Sequence, residues 1–214
     1  MLNKSVFFIL FLISVVLAGC AGVTVHDDLN VPPGKIEGNQ FTGIRYPFKV
    51  EAPQNWKMAT EFPDFLTRLG YMGPGPYDNE VTELYIFNPS TESSIQIDMT
   101  PANRGARFSQ EKIEAITTGA AMGSFKEELE SDYGKDIKVE VAPTAPFTLR
   151  GVPFAAKKYA TYTVHGVKRE QGWIYGFTEP YQLFILYMIL EKEGSNDRQE
   201  LNKILESFVF HPTK

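Results

Sequence analysis

Residues 181–190, YQLFILYMIL, leave the chain little freedom, because a single Gln interrupts the apolar and aromatic run. A helix that crosses a bilayer needs roughly 20 such residues, so this run is too short to span one. Its length suits a strand, and a strand without polar alternation has to be covered on both faces. The run therefore predicts the central strand of a sheet with a layer on either side.

The neighbouring sequence supplies partners for that strand. Residues 156–164 and 167–177 predict two strands joined by His165-Gly166, a two-residue turn suited to a primed hairpin. Along the second of them Trp173, Tyr175 and Phe177 share one face. Residues 83–88 and 94–100 flank 89–93 as another hairpin. There Ile95, Ile97 and Met99 oppose Gln96 and Asp98, the pattern of a strand covered on one side or lying near an edge. Tyr46, Phe48 and Val50 alternate within 44–52, and 136–141 adds a further strand.

Two segments have helical period. Within 109–133 the stripe Ile113, Ile116, Ala120, Phe125, Leu129 runs to a stop at Gly134. Residues 196–208 close the chain as a helix with the stripe Leu201, Ile204, Leu205, Phe208, and Asn196 and Gln199 stand at capping-box spacing. Hairpin-linked strands with packed helices define an α+β class, expected here as an antiparallel β-sheet flanked by helices, an α/β/α sandwich.

The amino-terminal end has a different character. Lys4 precedes residues 6–18, which only Ser14 interrupts, and small residues follow, the layout of a secretory signal. The stretch LAGC, 17–20, holds the only cysteine of the 214 residues. LAGC resembles the lipobox of bacterial lipoproteins at all four positions. The resemblance implies a diacylglyceryl group on the sulfur of Cys20 and cleavage before it, with palmitate-type acylation of the new amino terminus. Two or more chains anchor stably where one holds only marginally. The organisation expected is a signal peptide at 1–19, a lipidated flexible tether at 20–40 rich in Gly and Pro, and a globular domain at 41–214. Ala21, in place of an Asp, favours the outer membrane by analogy with enterobacterial sorting.

A second resemblance concerns the domain. Residues 41–56, FTGIRYPFKVEAPQNW, with a strand ending in Pro-x-x-Trp, resemble the opening of PsbP-like and DcrB-like domains. The closing order of hairpin strand, apolar strand and LNKILESF is also similar. What this implies is a small accessory or binding module; no catalytic or metal-binding residue is carried over.

Composition excludes some classes. Removing 1–19 takes away one charged side chain, Lys4, leaving 20 basic against 26 acidic residues, a net of −6. Such a balance opposes nucleic-acid binding, which needs Lys and Arg to neutralise phosphates. With its thiol lipidated the domain has no disulfide and depends on its hydrophobic core. His26, His165 and His211 are scattered, so no zinc site and no other metal or cofactor is expected. Glu127, Glu128, Glu130 and Asp132 read as a solvated helix face.

Ser109-Gln-Glu-Lys112 matches the Ser-x-x-Lys of penicillin-binding enzymes, but neither Ser-Asp-Asn nor Lys-Thr-Gly accompanies it. Serine is also a preferred helix N-cap. The candidate ligand or partner surface comprises Tyr71 and Tyr77, in the Gly- and Pro-punctuated loop 70–79, with Arg104, Arg107 and Trp173. Arg104 and Arg107 precede a helix, where an anion could be met. The expected function is a lipid-anchored bacterial envelope protein with a non-enzymatic domain that docks on an envelope protein partner. The alternatives are a carrier or sensor for an apolar ligand, and a serine–lysine cell-wall hydrolase.

Overall fold

The computed structural model describes residues 30–68, 82–102, 106–119 and 122–211. Its frame is a large antiparallel sheet. In spatial order the strands are β4 (Lys57–Ala59), β5 (Thr82–Phe87), β6 (Ser94–Pro101), β11 (Tyr181–Glu191), β10 (Val167–Thr178), β9 (Phe154–Val164) and β7 (Val139–Val141). A short β8 (Ala145–Pro146) also pairs with β9. The apolar run thus occupies the middle of the sheet, as its composition predicts. His165 and Gly166 have φ of 51° and 79°, the two positive angles that a primed turn demands of its central residues.

The registers assign side chains to faces. On one face Leu183, Ile185 and Tyr187 of β11 lie beside Met99, Ile97 and Ile95 of β6 and opposite Gly176, Ile174 and Gly172 of β10. This face packs against helix α4 (Asp197–Ser207), through Leu201, Ile204 and Leu205, and against a second sheet. The second sheet has the order β1 (Gly34–Glu37), β2 (Gln40–Gly43), β3 (Phe48–Glu51), β12 (Val209–Phe210), and contributes Phe41, Phe48, Val50 and Phe210. The other face carries α1 (Asp64–Arg68), α2 (Gln110–Gly119) and α3 (Met122–Tyr133). The class is α+β as expected, with one layer part helix and part sheet.

Of the predicted helix 109–133, Gln110–Gly119 and Met122–Tyr133 are helical, and 120–121 lie outside the described residues. Three expectations change. The chain begins to fold before Phe41: Gly34–Glu37 pairs with Gln40–Gly43, so the tether expected to run to Gln40 is part of a hairpin from Gly34 onward. Even earlier, Pro33 O accepts from the backbone N–H of Ile44 and Arg45, at 2.8 and 3.2 Å. The Arg45 guanidinium donates twice to Val31 O, at 3.0 and 2.8 Å, and pairs with buried Glu83 at 2.9 Å. Local composition showed a Gly- and Pro-rich stretch; the partners that order it lie elsewhere in the chain.

The capping box is also absent, since the Asn196 side chain makes no cap hydrogen bond. The next residue takes over the junction. Asp197 is buried and accepts from Asn88 Nδ2 at 3.0 Å and Ser93 Oγ at 2.5 Å. Ser93 Oγ in turn accepts from Leu190 N–H at 3.0 Å, so one buried carboxylate ties α4 to the β5–β6 hairpin and to β11. Lastly, β11 is sealed on one face only. Phe184, Leu186 and Met188 on its other face are half-buried.

Candidate functional site

That half-covered strip is the floor of an apolar hollow. Register places Leu186 between Gln96 of β6 and Trp173 of β10, and Met188 between Ser94 and Gln171. Tyr85 and Phe87 of β5 continue the same face, opposite Gln96 and Ser94. Helix α1 forms one wall. Phe65 stacks on Phe87 with ring centroids 4.5 Å apart, and Phe62 meets Tyr85 edge-on at 5.7 Å. Farther along the sheet α2 covers Trp173, Ala156 and Phe177, while α3 sets Leu129 on Ala160 and Tyr162. Beside α1 the sheet carries a cavity of about 100 Å³.

Among the described residues, the cavity is lined mainly by rings and aliphatic side chains, with three polar residues, Ser94, Gln96 and Gln171. Two of them are occupied: Gln96 Nε2 donates to both oxygens of Asp98 at 3.1 Å, and Gln171 Oε1 accepts from Tyr162 at 3.2 Å. Burial raises the Tyr85 phenol above its ordinary range; a hydrogen bond with Thr82 opposes the shift and the Asp98 charge reinforces it. The phenol therefore stays neutral at physiological pH. Among the described residues, such a lining suits an apolar group and offers no paired acid and base, and no nucleophile beside a base. Sites for drug-sized ligands run to roughly 300–1,000 Å³, so this one suits a single side chain or the end of a thin molecule.

Of the sequence-predicted site residues, the two that are described, Arg107 and Trp173, are not in this lining. Trp173 is 2% exposed and donates from Nε1 to Thr117 O at 3.2 Å, which makes it part of the core and corrects its assignment to a surface. Arg107 is exposed ahead of α2, and its carbonyl accepts from Lys112 Nζ at 3.1 Å. Tyr71, Tyr77 and Arg104 lie outside the described residues, as does Cys20 with the whole of 1–19. Ser109 Oγ accepts from the backbone N–H of Lys112 at 3.3 Å, which is the N-cap arrangement. The Lys112 ammonium is engaged elsewhere, on Arg107 O and over the Phe108 ring at 4.6 Å. Among the described residues, no three His, Cys, Asp or Glu side chains form a metal-holding group.

The residues that build the hollow's wall were missed in sequence. Their signal is present in FPDFLTRL, residues 62–69, where Phe62, Phe65, Leu66 and Leu69 have helical spacing behind Pro63-Asp64, a helix-start pair. Within it, Asp64–Arg68 is helical as α1.

No family model and no curated protein matches the chain. Two solved structures are similar in outline. The solution structure of cyanobacterial PsbP (CyanoP) from Synechocystis sp. PCC 6803 is 7% identical, covering 88% of this chain and 99% of that one, with a TM-score of 0.49. The crystal structure of LpqN, described as involved in cell envelope biogenesis of Mycobacterium tuberculosis, is 14% identical, covering 84% and 86%, also at 0.49. At such identities and scores, neither neighbour assigns this chain a function, a ligand or a partner.

Proposed function

We propose that this chain is a lipid-anchored bacterial envelope protein whose α+β domain is a non-enzymatic binding module, docking on an envelope protein partner. The hollow beside α1 is the observation that supports the docking half. A stable interface is held by a few apolar anchors that fill well-shaped pockets. A cavity of about 100 Å³ at the centre of a rigid sheet fits one such anchor. The anchoring half rests on LAGC, with Cys20 as the lipid attachment point and Ala21 favouring the outer membrane.

The Arg45 contact with Val31 limits the tether. Cys20 to Val31 spans eleven peptide steps in the sequence. At roughly 3.3–3.6 Å per residue, its reach is at most about 40 Å whatever its conformation. The domain would therefore work close to the membrane that holds it, and its partner would be exposed near that surface.

Two measurements test the two halves separately. Growth with an alkyne-tagged fatty acid should label the protein, and Cys20→Ser should abolish both the label and membrane retention. Photo-crosslinking in intact cells from position 188 should trap one dominant partner through the hollow. Unlabelled protein would end the anchoring half. Crosslinks spread evenly over abundant envelope proteins would end the docking half. The cavity also favours a second reading, an apolar-ligand carrier, which a co-purified small molecule in native mass spectrometry would support over the first.

A further inference from the structure

A second group of residues lies on the opposite face of the sheet, away from the hollow. Lys157 of β9 projects its ammonium among three rings, with Nζ 4.9 Å from the centroid of Tyr187, 5.3 Å from Tyr159 and 5.8 Å from Phe147. The side chain is half-buried, and among the described residues no acceptor lies within hydrogen-bond distance of Nζ. A cation drawn partly out of water gains from a charged or hydrogen-bonding partner, and among the described residues Lys157 makes no ion pair or hydrogen bond through Nζ.

The nearby carboxylates are already engaged. Glu170, 1% exposed, accepts from Tyr187 Oη at 2.8 Å and is paired with Arg198. Glu191 binds Arg198 at 3.0 Å and Lys168 at 3.3 Å. Three cations thus share two anions, and the cation left over is Lys157, in a chain whose formal net charge is −5. Burial holds the Lys157 ammonium below the usual lysine range; Glu170 opposes that shift and Arg198 adds to it. Around the ammonium, Tyr187 is sealed, whereas Phe147 and Tyr159 are half-buried.

We propose that Lys157 anchors the carboxylate of a small acid whose apolar body lies against the half-buried rings of Phe147 and Tyr159. The carboxylate supplies the missing charge-assisted acceptor, and the rings supply apolar contact beside it. Neutral molecules of the same shape gain only the second contribution. Small acids without an apolar body gain only the first.

The test uses the full chain in detergent, with benzoate, acetate and benzyl alcohol as probes at constant ionic strength. Acylation of each lysine is followed by peptide mass spectrometry, with exposed Lys35 and Lys203 as internal references. Benzoate should slow acylation of Lys157 several-fold relative to those two, because a bound carboxylate keeps the amine protonated and covers it. Acetate should do much less and benzyl alcohol nothing. In parallel, benzoate should shift the ring resonances of Phe147 and Tyr159; Lys157→Gln should abolish the shifts and Lys157→Arg should retain them. Equal slowing by all three probes, equal slowing at all lysines, or ring shifts that survive in Lys157→Gln would each overturn the site.

Discussion

The two faces of the central strand are built from alternate residues of one segment, yet they are finished differently. Leu183, Ile185, Tyr187 and Ile189 point to the face covered by α4 and the small sheet, and each is at most 1% exposed. Phe184, Leu186 and Met188 point to the helical face and remain half-buried. Hydrophobicity alone cannot account for this difference, since both sets are equally apolar. What differs is the layer above, and the incomplete layer leaves apolar surface available for binding on an otherwise rigid sheet. The sealed face is expected to carry stability, and the open face recognition.

The largest predicted effect tests that division directly. Ile185→Ala on the sealed face should cost roughly 2–5 kcal/mol, the range for deleting a buried aliphatic side chain from a packed core. Its neighbour Leu186→Ala should cost only about 1 kcal/mol, in keeping with its partial burial. Paired urea titrations measure both. Equal losses would mean that the hollow is closed in solution, and the comparison would fail. Asp197→Ala comes next. It removes a carboxylate that two side chains bind, and hydrogen bonds to charged groups contribute about 1.5–3 kcal/mol. Since Asp197 sits on the sealed side, its loss should leave crosslinking from the hollow unchanged in whatever fraction stays folded.

The same division marks how far the sequence could be read. The run 181–190, the His165-Gly166 turn and the alternation of Ile95, Ile97 and Met99 are local patterns, and each predicts its element and its place in the sheet. Trp173 and the segment 34–40 are different cases. Whether Trp173 lies at a surface depends on α2 arriving over it, and whether 34–40 is ordered depends on strands and an arginine that come later in the chain. The hollow was illegible for a related reason, because it forms where α1 meets residues of four different strands. The described lining of the hollow uses ordinary Phe, Leu and Met residues, which no unusual local composition marks. The cluster at Lys157 draws on β9, β10, β11 and α4, and no spacing in the sequence brings those together.

Titration offers a smaller contrast between the faces. Burial raises the Tyr187 phenol far above its ordinary value of 10.0, with the Glu170 charge and hydrogen bond adding to it. Tyr85 on the open side is raised as well, first by burial. A phenol that holds its proton more tightly when folded stabilises the fold below its unfolded pKa. That stability is lost as pH rises, because the unfolded chain releases the proton first. Both residues therefore predict weakening that begins near pH 10 and grows above it. Tyr187→Phe should flatten this alkaline loss more than Tyr85→Phe, as read from urea midpoints at neutral pH and just above pH 10. The reverse order would place the better-sealed phenol on the hollow side.

The smallest effect lies at the start of α2, on the open face. Ser109→Ala removes an N-cap and should cost about 1 kcal/mol. Ser109→Asp should recover most of that, because a carboxylate oxygen can accept the same Lys112 N–H and its charge suits the helix start. Lys112→Met leaves that backbone donor intact and should change stability by only a few tenths of a kcal/mol, the scale of an exposed surface contact. A serine–lysine hydrolase would behave otherwise: Ser109→Ala and Lys112→Met would abolish activity equally, and Ser109→Asp would not restore it. Urea midpoints and turnover of a muropeptide mixture by the four proteins separate the two cases. The cap arrangement predicts a stability series led by Ser109 and no turnover by any of them.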